Sequence, residues 1–195
     1  MAYLTNDQLN ALNFKHLGGN VRLSDKAVVY GAERIEIGDN TRIDDFCLIS
    51  AGQGGIKIGK HVHVACYCSL IGAARITLED FSGISGRVSV YSSSDDFSGD
   101  WLTGPTVAEQ FTNVDSRPVT IGRHVVVGVG SVVLPGVEIG EGSTVGALSL
   151  VSKSCGPYGI YVGVPARFAK ARSRKVADLE LEFMAFLDRE SGGGS

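Results

Sequence analysis

An all-β fold, a parallel β-helix wound from six-residue units, is what this sequence predicts, and three observations predict it. An aliphatic residue recurs every six positions at Ile121, Val127, Val133, Ile139, Val145 and Val151. Four places after each stands a small or β-branched residue: Val125, Ser131, Val137, Ser143, Ser149 and Cys155. Glycine is 26 of 195 residues, about twice the usual share of roughly 7%, as a chain with many tight corners requires. A period of six would walk around an α-helix, whereas an even offset of four keeps both marked positions on one face of an extended chain. Sandwich strands recur at irregular spacings nearer roughly 8–12 residues, so a sandwich fits this pattern poorly.

The same period runs earlier with interruptions. Ile37, Ile43 and Ile49 are six apart; a glycine-rich insertion around Gly52-Gln53-Gly54-Gly55 breaks the register. Ile58, Val64 and Leu70 resume it, followed by Leu78, Ile84 and Val90. Three units would close one triangular coil, with successive coils stacked about 4.8 Å apart like parallel strands. The β-helix is thus expected over residues 21–166, interrupted by an extruded loop at 91–118 where the repeat stops. Residues 1–20 read as a short helical segment, because Thr5-Asn6-Asp7-Gln8 has capping-box spacing ahead of Leu9, Leu12 and Phe14. Residues 167–190 read as a C-terminal helix, with Val176, Leu179, Phe183 and Phe186 or Leu187 at helical spacing. The Gly/Ser tail, 191–195, reads as a flexible linker.

Charge and composition exclude several functions. The chain has 18 basic and 21 acidic residues, for a net charge of −3, which offers no overall attraction to nucleic acid or an anionic membrane. No stretch approaches the roughly 20 apolar residues of a membrane span. The N-terminal residues lack a basic segment followed by an apolar run, so the reading is cytoplasmic with no integral membrane association. In that compartment four cysteines argue against disulfides. Cys47, Cys68 and Cys155 each follow a repeat aliphatic by four and read as small inward residues; Cys66 falls on another phase. His61 and His124 hold the same repeat position, at corners expected to face solvent. About two coils, roughly 10 Å, should separate them, too far to share one zinc ion, so no metal is expected.

The segment Pro118-Val119-Thr120-Ile121-Gly122, then Gly128-Val129-Gly130-Ser131-Val132-Val133-Leu134-Pro135-Gly136-Val137, Val145-Gly146-Ala147-Leu148-Ser149-Leu150-Val151-Ser152-Lys153 and Gly163-Val164-Pro165-Ala166-Arg167 resembles the hexapeptide-repeat acyltransferases. Within that family it is most similar to the galactoside, maltose and xenobiotic acetyltransferases, and the likeness covers roughly Val21 to Arg172. The resemblance implies a left-handed parallel β-helix, a homotrimer with active sites between subunits, and acetyl-CoA or another acyl-CoA as co-substrate. It places the pantetheine arm against backbone near Val129 and Ala147, with Ser152 and Lys153 at its far end. Lys153, Arg167, Lys170 and Arg172 form a local basic cluster suited to the nucleotide phosphates.

In the resembling enzymes the extruded loop opens with a histidine that acts as general base; here Asp95 falls at that place. A carboxylate of ordinary pKa, about 3.9, is a weak base toward a sugar hydroxyl. Three accounts stay open: Asp95 or Asp96 is a tuned base, a neighbouring subunit supplies a histidine, or the acceptor is an amino sugar that Asp95 or Asp96 orients. Tyr91 and Trp101 are candidates to stack on a sugar ring or base, and Ser93 to bond the acceptor. Cys68 stands near the coil position where the family carries an acceptor-binding asparagine. The run Ser92-Ser93-Ser94-Asp95-Asp96-Phe97-Ser98-Gly99 resembles acyltransferases of surface-polysaccharide biosynthesis, such as O-antigen or capsule. The expected function is acyl transfer to a sugar amine or hydroxyl. The alternatives are a non-catalytic β-helix scaffold and a zinc hydratase of the hexapeptide carbonic anhydrase type.

Overall fold

The aliphatic ladder read from the sequence forms the core. In the structure, a computed structural model that describes residues 2–192, every repeat aliphatic from Ile37 to Val151 is at most 1% exposed. These residues line the inside of a triangular coil whose walls are three parallel sheets. The first sheet contains strands Ile35–Ile37, Ile56–Ile58, Ile76–Leu78 and Val119–Ile121; the second contains Arg42–Ile43, His63–Val64, Gly83–Ile84 and Val126–Val127. The third stacks Val28–Tyr30, Leu48–Ala51, Ser69–Gly72, Ser89–Tyr91, Val132–Val133 and Leu150–Val151. Strands pair in register, for example Ile58 with Leu78 and Leu78 with Ile121, so each aliphatic rests on its equivalent one coil away.

The second inward position also behaves as its chemistry requires. Val125, Ser131, Val137, Ser143, Ser149 and Cys155 are all buried. The serines escape the penalty of an unpaired buried hydroxyl by bonding across coils: Ser131 Oγ donates to Gly146 O at 3.0 Å, and Ser143 Oγ to Gly156 O at 2.7 Å. Cys47, Cys68 and Cys155 are free and buried. Burial raises the Cys155 thiol to about 11; the Cys47 thiol beside it, and burial, also push Cys68 up. The glycine-rich insertion leaves the coil and returns with Gly54 packed so closely that a Cβ there would lie 2.3 Å from the Arg75 nitrogen.

Helix α1 (Asn6–Ala11) carries the capping box: Thr5 N donates to Gln8 Oε1 at 2.9 Å and Gln8 N to Thr5 Oγ1 at 3.3 Å. The C-terminal end departs from the expected continuous helix. Arg167–Ala171 is instead a strand running antiparallel to Gly159–Val162, and helix α2 spans Lys175–Gly192. The delay has a local cause: Arg172 Nη1 donates to the carbonyls of His124, Gly142 and Ser143, pinning the chain to the coil before a helix can start. Arg172 is thereby taken from the basic cluster. Of the tail, 191 and 192 lie in α2, and 193–195 lie outside the described residues.

Helix α2 covers the corner between the first and second sheets, where a solvent-facing His124 was expected. His124 is 4% exposed. The rings of His61, Phe81 and His124 stack with centroids 4.8 and 5.5 Å apart, and Phe183 of α2 meets His61 and Phe81 edge-on. Arg123 Nε donates to Glu180 Oε2 at 2.9 Å, and Nη2 to Oε1. His124 Nε2 lies 2.7 Å from Glu180 Oε2. The Arg123 guanidinium, then His124, holds the Glu180 carboxyl below its ordinary value of 4.5. A carboxyl lowered on folding stabilises the fold above its unfolded pKa and loses that contribution as pH falls through its folded value. The stability difference between the wild type and Glu180→Gln should therefore be full at neutral pH and vanish on acidification below 4.5, read from urea midpoints across pH. A difference that grew on acidification would overturn this.

Candidate active site

The excursion between Tyr91 and Val119 leaves the coil where the third sheet turns into the first. It is internally ordered by its own polar groups. Ser93–Ser94 pairs antiparallel with Asp115–Ser116, and Ser92, fully buried, donates Oγ to Ala74 O at 2.6 Å. Arg117 makes a two-pronged contact with Asp115, Nε to Oδ1 at 2.7 Å and Nη2 to Oδ2 at 2.6 Å. Such fork-to-fork pairs fix geometry as well as charge, and the Arg117 guanidinium holds Asp115 below the usual carboxylate range.

Two grooves flank this stem. One, of about 530 Å³, lies between the excursion and the coil and is lined by Tyr91, Ser93, Asp95, Leu134 and Ser152, with Asp115 and Arg117 at its wall. The other, of about 520 Å³, lies under the loop and shares Tyr91, Ser93 and Asp95, adding Glu109 and Val114. Asp95 is the carboxylate common to both grooves. Its Oδ1 accepts one long contact, from Gly104 N at 3.4 Å, so most of its hydrogen-bonding capacity faces the grooves.

Asp96 does not join it. Its Oδ1 accepts from Ser98 N at 2.7 Å and from Ser98 Oγ, and its Oδ2 accepts from Asn113 Nδ2 at 3.1 Å. The Ser98 hydroxyl, first among these donors, holds the Asp96 carboxyl below its ordinary value, which makes it a poorer base and a clasp for the loop. Trp101, half exposed, lines neither groove. Cys68 is corrected as an acceptor contact: it is fully buried inside the coil, where its Sγ donates to Ser85 O at 3.0 Å.

Of the residues expected to hold the acyl donor, Ser152 lines the groove beside Asp95, whereas Lys153 and Arg167 line a third depression of about 320 Å³ with Tyr161 and Phe168. That places two cations beside the exposed Phe168 ring and the half-buried Tyr161 ring, next to Ser152 through Lys153. Lys170, on the strand Arg167–Ala171, is outside this lining. Val129 and Ala147 are exposed and sit on adjacent coils, with Leu148 N donating to Val129 O at 2.9 Å. Backbone approaches closely there, since a Cβ on Gly128 would fall 2.5 Å from the Ala147 nitrogen. This track lies at the corner between the second and third sheets, at the opposite end of the third-sheet strands from Asp95.

The sequence reading missed Asp115 and Arg117, although their spacing of two on an extended segment put both side chains on one face. Phe81 stacks between His61 and His124, and no cluster of three or more metal-ligating side chains occurs among the described residues. No helix among them is long and apolar enough to cross a membrane.

Comparison with known proteins adds to this geometry. Residues 118–153 match the family model described as bacterial transferase hexapeptide, six repeats. The chain is 48% identical over 183 residues to a dTDP-4-amino-4,6-dideoxy-D-glucose acyltransferase of Escherichia coli, covering 94% of this chain and 95% of that protein. It superposes with a TM-score of 0.90 and 42% identity on AntD, an N-acyltransferase from Bacillus cereus solved with dTDP and 3-hydroxybutyryl-CoA, covering 95% of this chain and 98% of that one. A variant of the same enzyme, solved with dTDP-4-amino-4,6-dideoxyglucose and coenzyme A, gives a TM-score of 0.91 at 43% identity, covering 94% and 98%.

Proposed function

Since the chain belongs to the hexapeptide-repeat transferase family, we propose that it acylates the amine of a dTDP-linked 4-amino-4,6-dideoxy sugar, using acetyl-CoA or another acyl-CoA. The observation that carries this reading is Asp95, the carboxylate shared by both grooves, with no histidine beside it. A hydroxyl acceptor needs a base strong enough to activate it, whereas an amine is nucleophilic once neutral. The relatives named above act on or bind an amino sugar carried on dTDP, which agrees with that chemistry.

In this mechanism the amine nitrogen bonds to the thioester carbonyl carbon, and the carbon–sulfur bond breaks as the tetrahedral intermediate collapses. The electron pair leaves on sulfur as coenzyme A thiolate, whose pKa of about 8.5 makes it a fair leaving group. The proton lost by nitrogen passes to the Asp95 carboxylate and from there to solvent. Tyr91 and Ser93 hold the sugar, and Val129, Ala147, Ser152 and Lys153 hold the donor. Arg167 assists at the nucleotide phosphates, with Lys170 in a peripheral place. Most of the rate gain comes from holding two substrates together, worth up to roughly 7–11 kcal/mol.

A homotrimer completes the site in this reading. Asp95 and the Val129–Ala147 track lie at opposite ends of strands such as Gly130 to Leu134, about 13 Å of extended chain, so one copy keeps them apart. The outer face of the third sheet between them is apolar for an exterior surface: Val28 is 44% exposed, and Leu48, Ile71, Val132, Leu134 and Leu150 are each partly so. Packing that face around a threefold axis sets the excursion of one copy against the corner of the next. We place the enzyme in the cytoplasm, where acyl-CoA is found, supplying an N-acylated nucleotide sugar for surface-polysaccharide assembly such as O-antigen.

The test is acylation of the amino nucleotide sugar against its 4-hydroxy counterpart, with the products challenged by mild alkali. An alkali-stable amide formed only from the amine supports the reading, and an alkali-labile ester from the hydroxyl sugar overturns it. Calorimetry supplies the donor arm: Lys153→Ala/Arg167→Ala should weaken coenzyme A binding about 10- to 100-fold, as expected for lost charge-assisted contacts. Unchanged affinity would remove both residues from the donor site.

A further inference from the structure

We propose that the stacked rings of Phe46 and Tyr67, with Arg87 beside them, form the platform that holds the nucleoside diphosphate of the acceptor. This rests on the N-acyltransferase reading above. Phe46, Tyr67 and Arg87 occupy successive coils at the corner between the second and third sheets, with φ of 61°, 62° and 60°. In this left-handed conformation, disfavoured for bulky side chains, each projects outward from the turn. The two rings stack with centroids 5.0 Å apart and an interplanar angle of 22°. They remain 48% and 51% exposed.

The corner between the first and second sheets carries a second aromatic ladder. There His61, Phe81 and His124 also take positive φ and also stack, but α2 lays Phe183 across them. No element of the chain is seated in that way on the Phe46–Tyr67 stack among the described residues. The charges say what would cover it. The Arg87 guanidinium lies 5.6 Å from the Tyr67 ring centre and has no ion-pair partner among the described residues. Lys26 Nζ lies 5.6 Å from the Phe46 ring centre at the other end, partly neutralised by Asp45 at 3.6 Å. A planar ring to stack and an anionic group for the guanidinium together describe a nucleotide.

Two further observations fit that occupant. The grooves at Asp95 carry Asp95, Asp115 and Glu109, and their one lining cation, Arg117, is held fork-to-fork by Asp115, a poor setting for a diphosphate. The platform also continues the donor track along one column of hydrogen bonds: Leu148 N to Val129 O, Gly130 N to Gly86 O, Arg87 N to Cys66 O and Tyr67 N to Asp45 O. Tyr67 therefore stands two coils from Val129, about 10 Å, a separation that a nucleoside diphosphate sugar bridges with its base on the platform and its amine near the thioester.

The competing occupant is a second copy of this chain, and the test separates the two. Titration of dTDP and of thymidine would be run on wild type, Tyr67→Ala, Tyr67→Trp and Arg87→Met, with light scattering and steady-state kinetics on each. The expected results are a dTDP affinity lowered roughly 10-fold or more by Tyr67→Ala, as for loss of one base-stacking partner, and retained by Tyr67→Trp. Arg87→Met should weaken dTDP far more than thymidine. KM for the nucleotide sugar should rise with kcat near wild type, and coenzyme A affinity should not move. Unchanged dTDP affinity in Tyr67→Ala, or loss of the oligomer with it, would overturn the platform. If the wild type acylates no amino sugar, the function reading fails separately, and the dTDP titrations still decide the platform.

Discussion

Asp95→Asn is expected to lower turnover by about 100- to 10,000-fold, the range for removing a positioned proton acceptor, while coenzyme A affinity stays as in wild type. The substitution keeps size and one hydrogen-bonding oxygen but removes the charge that would take the amine proton. Because the one contact that Asp95 accepts among the described residues is the long one from Gly104 N, the loop has little reason to rearrange. Asp96→Asn is the matched control: Asp96 is occupied by Ser98 and Asn113, so its loss should loosen the loop and raise KM, leaving turnover within a few-fold. Single-turnover measurement with saturating acyl donor reads both. Near-normal turnover in Asp95→Asn would remove Asp95 from the chemistry.

The largest stability effect should come from the aliphatic ladder. Ile121 is fully buried and stacks in register between Leu78 and Ile139. Ile121→Ala is expected to cost about 2–5 kcal/mol, transfer energy plus the cavity left in a coil whose backbone cannot collapse. For a chain of this size that is roughly 2–4 °C of Tm per kcal/mol, and the urea midpoint should fall with little change in slope. A control at the exposed corner, Leu148→Ala, removes a side chain 72% exposed and should change stability little. Equal losses at the two positions would contradict the inward assignment of the ladder.

Much of this architecture was legible because a β-helix writes its core into the chain at a constant interval. Ile121, Val127 and Val133 mark three walls of one coil without any need for long-range pairing to be guessed. The buried cysteines followed from the same count. The C-terminal segment was less legible because the helical spacing of Val176, Leu179 and Phe183 says where a face is, not where the helix starts. The three carbonyl bonds of Arg172 set that start. His124 was misplaced for a related reason: its repeat position points outward, and only the docking of α2 buries it.

The candidate site divides in the same way. Asp95 and Asp96 are neighbours in sequence and chemically alike, and no spacing rule separates them. Their difference comes from Ser98 and Asn113, which close on one carboxylate and leave the other facing the grooves. The sequence by itself determined the coil, its inward residues, the excursion and the acyltransferase family, since each depends on local period or short motif. Only the tertiary structure decided which carboxylate meets the grooves, and that Phe46 and Tyr67 stay about half exposed. Those outcomes depend on which surfaces other segments cover, and coverage is a property of the folded chain, not of any interval along it.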